Sequence, residues 1–322
     1  MAKFQILSID GGGVRGIFSA ALLAGLEEDL GRPVRDNFDL IVGTSTGGII
    51  ALGLGAGLDP RQILDFYVER KDEIFPSRLG MARARQLLRA KYRPGPLERA
   101  LKDVFGDTLL GASQIPLIIP SYDLGEGDVY IFKTPHHHRL RRDHRAPMWA
   151  VAMATAAAPT FFPAFRLPGD HVRLIDGGVW ANNPAMVGVV EAISLFGRSL
   201  DEVQLLSVGT TAETDTRKAQ LDDAGLVRWA RGPNVVDVFL RGQSTAAFTQ
   251  AWHLLGEERA YRLDPPALSD STLDRANAEE LIAKAAHHSR EFCPVFETHF
   301  ASHTPAPYQP LAGPNSTKGS AR

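Results

Sequence analysis

At 322 residues, 44% hydrophobic and 22% charged, the chain carries enough apolar side chain to bury a large core and reads as one main domain. A net charge of −2 with a pI near 6.6 excludes a global pull toward nucleic acid and leaves contact with anionic surfaces to local basic patches. Cys293 is the single cysteine, which excludes an internal disulfide and fits a reducing compartment; with no charged-then-apolar leader and no apolar run of bilayer length, the expectation is a cytoplasmic protein.

The first predicted strand, Phe4–Ile9, ends at Asp10-Gly-Gly-Gly-Val-Arg-Gly16, and helical spacing follows over Ile17–Leu30. Successive glycines let backbone N–H groups approach an anion closely, and Arg15 adds a positive charge beside them. Gly11, Gly13 and Gly16 also satisfy GxGxxG, but a dinucleotide site requires an acidic residue at the far end of the second strand. Here Asp36 and Asp39 precede that strand, and no Lys-Ser/Thr follows the glycines as a Walker loop would need. The better fit is an oxyanion hole built from Gly11, Gly12 and Gly13, with Arg15 nearby.

The second strand supplies what such a hole would serve. In Leu40–Ile50 an apolar run ends at Gly43, Ser45 sits among small residues, and an apolar run resumes after Gly48. This is strand, tight turn, helix: GxSxG forces Ser45 into a strained conformation with its hydroxyl exposed, and Gly43 and Gly47 allow strand and helix to close. The following helix start favours an alkoxide or oxyanion. GxSxG also occurs in turns without chemistry, so other stretches must decide.

Asp59-Pro60 opens a helix expected to reach about Ile74. From Arg78 to Arg93 the chain is basic, with Arg78, Arg83, Arg85, Arg89, Lys91 and Arg93 and no acid, while Met81, Ala84, Leu88 and Tyr92 keep helical spacing. Such a helix suits an anionic membrane surface, or else covers the core as an ordinary solvated helix. A helix over Leu97–Phe105 and strands over Pro116–Ser121 and Val129–Lys133 follow. His136–His138 reads as a solvated loop rather than a metal site, because consecutive histidines do not converge and Arg139, Arg141 and Arg142 repel a cation. Pro147–Ala158 is a helix of small residues, and the aromatics of Pro159–Phe165 suit a core or the lining of an acyl-chain pocket.

A strand over Val172–Ile175 stops at Asp176-Gly177-Gly178 and runs into Val-Trp-Ala-Asn-Asn-Pro184. Glycines leave the Asp176 carboxylate approachable at a strand end, where a parallel sheet presents catalytic groups, although an Asx-type turn reads the same way. With Val203–Val208 the strands and helices alternate, which predicts a three-layer α/β/α fold around a mostly parallel central sheet. Helical patterns over Asp222–Arg259 and Asn277–His299, with few strand signals, predict a helical C-terminal third. The expected organisation is one domain over 1–302, with its motif-bearing core at about 4–210 and a helical part at about 211–302, then a disordered Pro/Gly tail over 303–322.

By chain order, Asp176 followed by His253, His287 or His288 would permit the Ser-Asp-His triad of a soluble esterase or acyltransferase, but Ser45 comes earlier than the serine of an α/β-hydrolase, and none of these histidines lies in a glycine-flanked turn. A two-residue arrangement is simpler, with Asp176 taking the Ser45 proton and returning it to the leaving alcohol. A non-enzymatic module, its glycine loop holding phosphate, is the third reading.

Asp10-Gly-Gly-Gly-Val-Arg-Gly16, Gly43-Thr-Ser-Thr-Gly47 and Asp176-Gly-Gly178, in this order, resemble the patatin-like phospholipases, and Ala156–Pro163 and Asp176–Pro184 strengthen the match. The resemblance covers roughly 4–210. It implies a Ser45–Asp176 dyad, an oxyanion hole at Gly11–Gly13 with Arg15 nearby, and hydrolysis of acyl esters in membrane glycerophospholipids, with Gly43, Gly47, Gly177 and Gly178 as supports. It also implies action without calcium, hence no metal and no cofactor, at the inner membrane face by peripheral contact. Some bacterial members act in nucleotide-signalled antiviral defence and lie dormant until a cyclic nucleotide binds; no feature of this sequence marks such a site.

Overall fold

The structure is a computed structural model that describes residues 3–76, 89–211, 225, 234–267 and 271–312. In chain order its regular elements are β1 (Phe4–Ile9), α1 (Gly16–Leu30), β2 (Leu40–Gly43), α2 (Thr46–Ala56), α3 (Pro60–Ile74), α4 (Pro94–Phe105), β3 (Leu117–Asp123), β4 (Asp128–Lys133), α5 (Met148–Thr155), β5 (Phe165–Arg166), β6 (Arg173–Asp176), α6 (Gly178–Ala181), α7 (Ala185–Ser194), β7 (Val203–Val208), α8 (Asn234–Leu255), β8 (Ala260–Leu263) and α9 (Ala278–His299). Local chemistry sets several boundaries. Asp59 and Gln62 form a capping box at the start of α3 with Pro60 in its first turn, and Gly31 ends α1 at a φ of 63°.

The sheet runs β5-β6-β3-β2-β1-β7-β8, with β4 on the other side of β3. β1, β2, β3, β7 and β8 are parallel to their neighbours in this set, while β4, β5 and β6 join through antiparallel pairs. Strand alternation sorts the core into two layers. Leu7, Ile9, Ile41, Leu117, Ile119, Leu206 and Val208 face a cluster completed by α1 to α5 and α9. Phe4, Ile6, Leu40, Val42, Ile118, Val203 and Leu205 face a second cluster closed by Ala185, Val189 and Ala192 of α7 and Ala251 and Leu255 of α8. The three-layer α/β/α architecture follows, with the sheet between two helical layers.

One detail of this topology places the site. A strand has two edges, and β4 occupies one edge of β3 from Ile118 to Asp123. β2 pairs with Leu117 and Ile118, and β6 with Ser121 to Asp123, so both must share the opposite edge. β6 therefore descends in line with β2 and ends at Asp176 just beyond the turn that carries Ser45. The expectation that a parallel strand end presents Asp176 is corrected: the strand is antiparallel to its neighbour β3.

Other expectations also change. The C-terminal third is not wholly helical, because Ala260–Leu263 adds β8 in parallel beside β7; four residues are too few to show alternation against the flanking helices. His136 is no solvated loop residue, since its ring is buried, bonds Glu191 at 3.0 Å and stacks on Phe196. Residues 303–312 do not trail free of the domain: His303 meets Asp39 at 2.6 Å, and the Leu311 N–H donates to the Pro135 carbonyl at 2.8 Å. Of the basic stretch, Arg78, Arg83, Arg85, Met81, Ala84 and Leu88 lie outside the described residues, as does the start of the helix expected from Asp222. Among the described residues, no helix is long and apolar enough to cross a membrane.

Candidate active site

The Ser45 turn is built from steric necessity. β2 ends at Gly43 and α2 begins at Thr46, so the chain reverses around Ser45, whose φ of 56° and ψ of −121° are strained for a residue with a side chain. A Cβ on Gly43 would overlap the Gly47 carbonyl, and one on Gly47 the Ile9 carbonyl. The strained residue is held from both sides. Its N–H donates to Thr155 Oγ1 at 2.9 Å, and its carbonyl accepts the Ile49 N–H at 3.0 Å.

The Ser45 hydroxyl donates to Asp176 Oδ2 at 2.6 Å, and Asp176 Oδ1 accepts the Gly178 N–H at 2.7 Å. Both side chains are buried. Burial pushes the Asp176 carboxyl up to about 6, against the pull of the Ser45 and Gly178 hydrogen bonds. Such a carboxylate is ionised at neutral pH yet far more basic than an exposed one, which suits proton transfer from a hydroxyl. Gly177 lets β6 close on β3, because a Cβ there would overlap the Pro120 carbonyl.

The glycine loop lies against the same serine: a Cβ on Gly11 would come within 3.2 Å of Ser45 Cβ. Its polar groups are almost all occupied. The Gly11 N–H donates to the Asn182 carbonyl at 3.0 Å, and the Val14 N–H to the Leu273 carbonyl at 2.8 Å. The Gly11 carbonyl accepts from the Thr210 hydroxyl at 3.1 Å and from Asn182 Nδ2 at 3.4 Å. Among the described residues no acceptor meets the amides of Gly12 and Gly13, and both residues line the cavity beside Ser45. Two free amides next to a hydroxyl can receive an oxyanion. The expectation from the sequence is a Gly11 donor in the hole and an Arg15 charge beside it. The Gly11 amide is taken, and the buried Arg15 side chain turns back to the Gly12 and Thr211 carbonyls at 3.4 Å.

A cavity of about 340 Å³ adjoins Ser45 and Asp176. Its lining is mainly apolar, with Ile49, Phe66, Tyr67, Ile74, Phe75 and Leu97 together with Pro159 to Phe162. The aromatic run thus divides: Phe161 and Phe162 line the cavity with Tyr92 packed on both, whereas Phe165 packs on Trp149. At the rim stand Val179, Val236 and Phe239, the last 65% exposed. A volume in the range of ordinary ligand sites with apolar walls suits a hydrocarbon chain whose polar end meets Ser45.

None of the histidines weighed for a triad comes to this site. No histidine lines the cavity among the described residues. His253 is exposed on α8 beside Trp252, and His287 and His288 pair with Glu291 on α9. Those two histidines and Glu291 are also the group whose ligand atoms lie close enough for one cation, far in sequence from the site. The supports that the sequence did not single out are Thr155, Asn182, Thr210, Arg262 and Leu273. Asn182 at least falls within the glycine- and asparagine-rich run after Asp176; the others stand in stretches without any local signal.

The sequence matches the family model described as Patatin-like phospholipase over residues 7–189. A "cGAMP-activated phospholipase" of Pseudomonas aeruginosa is 33% identical over 277 residues, covering 84% of this chain and 81% of that protein. A protein of the same description from Vibrio cholerae is 33% identical over 317 residues, 87% of each chain. "Patatin-like protein 2" of Arabidopsis thaliana is 32% identical over 283 residues, 74% of this chain and 69% of the relative.

Proposed function

This chain belongs to the patatin-like phospholipase family and is a hydrolase acting on ester bonds; on that premise we propose that it cleaves acyl esters of membrane glycerophospholipids through a Ser45–Asp176 dyad. The observation that carries the reading is the 2.6 Å hydrogen bond between Ser45 Oγ and Asp176 Oδ2, beside two amides that meet no acceptor among the described residues.

In this mechanism Asp176 takes the hydroxyl proton as Ser45 Oγ bonds to the ester carbonyl carbon. The carbonyl oxygen becomes an oxyanion on the Gly12 and Gly13 amides, each donor lowering the barrier by about 3 kcal/mol. The tetrahedral adduct collapses, the bond to the lysolipid oxygen breaks, and that oxygen receives the proton from Asp176. Water then gives a proton to Asp176 and attacks the acyl-serine, and Ser45 recovers the proton as fatty acid leaves. The apolar cavity supports an acyl chain as the bound part, and the exposed Val236 and Phe239 at its rim support peripheral contact with a membrane at its inner face. A triad gains no support, since no described histidine lines the cavity.

We also infer a cyclic nucleotide as activator, with a role in antiviral defence, from the relatives described as cGAMP-activated phospholipases. Lipid analysis of bacterial phospholipid vesicles treated with the protein, with and without cGAMP, tests both parts. The expected result is fatty acid release that rises with cGAMP and is absent for Ser45→Ala. Equal release by Ser45→Ala would refute the dyad; a rate indifferent to cGAMP would refute the activator.

A further inference from the structure

The glycine loop is contacted by residues beyond the matched family region, which stops at residue 189. Arg262 of β8 reaches under the loop. Its Nη2 donates to Asp10 Oδ2 at 2.8 Å and to Asp264 Oδ2 at 2.7 Å, and its Nη1 to the Ser207 hydroxyl at 2.8 Å and to Asp10 Oδ1 at 3.4 Å. The guanidinium also lies 5.6 Å from the Phe248 ring centroid. Asp10 is 2% exposed and is the last residue before Gly11. At the other end of the loop, the Leu273 carbonyl accepts the Val14 N–H and occupies the space where a Gly13 side chain would stand.

A buried carboxylate without its partner costs several kcal/mol and relaxes its surroundings to find another. The backbone directly attached to Asp10 is the loop that bears the Gly12 and Gly13 amides, so relaxation there moves the oxyanion donors. Displacement by about 1 Å is enough to lose much of a transition-state contact while the apolar cavity still binds the chain. Only the planar guanidinium fork meets Asp10, Asp264 and Ser207 together; a lysine ammonium keeps the charge but not this geometry.

We propose that Arg262 is a positioning residue for the reaction, which fixes the Asp10 carboxylate and thereby, with the Leu273 carbonyl at the far end, holds the Gly12 and Gly13 amides on the oxyanion. The inference rests on reading those amides as the oxyanion donors for Ser45. It assigns to the C-terminal third a part in the chemistry of the motif-bearing core.

The test uses the full chain with cGAMP present, a soluble acyl ester, and a long-chain trifluoromethyl ketone, whose adduct with Ser45 places an oxyanion in the hole. Folded protein is quantified by circular dichroism. For Arg262→Lys the expected result is a KM within about threefold of the parent, with kcat and trifluoromethyl ketone affinity both reduced about tenfold or more. Asp10→Asn gives the same pattern, and because both variants act through one contact, the double variant is no worse than the more damaged single within about threefold. A purely structural role predicts lower thermal stability but full kcat per folded molecule, and that result overturns the proposal. So do losses that multiply in the double variant, or recovery of both single variants unfolded. Ser45→Ala and Asp176→Asn run alongside: activity in either refutes the dyad, whereas their inactivity with full activity in Arg262→Lys refutes the positioning role alone.

Discussion

The Thr155 hydroxyl accepts the Ser45 backbone N–H at 2.9 Å and donates its own proton to the Pro120 carbonyl at 2.6 Å. This one side chain, at the end of α5, ties the strained turn to β3, the strand whose edge also carries β6 and Asp176. Ser45 and Asp176 are thus referenced to the same strand from two directions.

Replacing that hydroxyl with a methyl keeps the shape and removes both bonds. Thr155→Val leaves a buried N–H and a buried carbonyl without partners and should destabilise the protein by about 2–3 kcal/mol. Urea denaturation measures this, and kcat on a soluble ester should fall about tenfold as the turn loses its support. A variant as stable and active as the parent would detach Thr155 from the account.

The pH dependence follows from Asp176. Its carboxyl, raised from 3.8 to about 6 by burial, must be ionised to accept the Ser45 proton, so kcat/KM should fall on the acid side with a midpoint near that value. For stability the sign is opposite. The folded protein holds this proton more tightly than the unfolded chain, so stability is greatest below 3.8 and declines as pH rises to about 6. Asp176→Asn removes that penalty and should be inactive yet more stable than the parent at pH 8, by on the order of 2 kcal/mol. Thermal unfolding of the two proteins at pH 4 and pH 8 checks the sign.

Gly13 has a φ of 59°, and its missing side chain makes room for the Leu273 carbonyl. Gly13→Ala forces both the backbone and that carbonyl to move, and kcat should drop about 100-fold or more with a smaller change in KM. Steady-state kinetics on a soluble ester read the split; a KM effect with kcat intact would assign Gly13 to substrate binding instead.

If the proposed acyl chain lies in the cavity, its length is selected by the lining of that cavity. Ile74 is 4% exposed and lines it, so Ile74→Trp should shorten the space at a cost of about 1–3 kcal/mol in stability. Rates over a series of p-nitrophenyl esters should shift toward shorter chains. An unchanged profile would mean that the chain does not lie along this wall.

Much of this was legible in the sequence because the informative residues obey local rules. Gly43 and Gly47 flank Ser45 at the spacing a strand-to-helix turn demands, and Asp176 stands before two glycines at a strand end. What escaped reading depends on pairing at a distance. That β6 is antiparallel follows from β4 already holding one edge of β3, which no local pattern records. Among the described residues the Gly12 and Gly13 amides are the free ones, because Asn182 and Leu273, far along the chain, occupy those of Gly11 and Val14. Arg262 sits in a strand of four residues, and its role emerges only when β8 is laid beside β7.

Mapping a fluorophosphonate adduct by mass spectrometry while following fatty acid release from phospholipid vesicles tests the proposed Ser45–Asp176 dyad. The expected result is a single adduct on Ser45, with labelling and release both lost in Ser45→Ala and release lost in Asp176→Asn. An adduct on another residue, or fatty acid released by either variant, would contradict it.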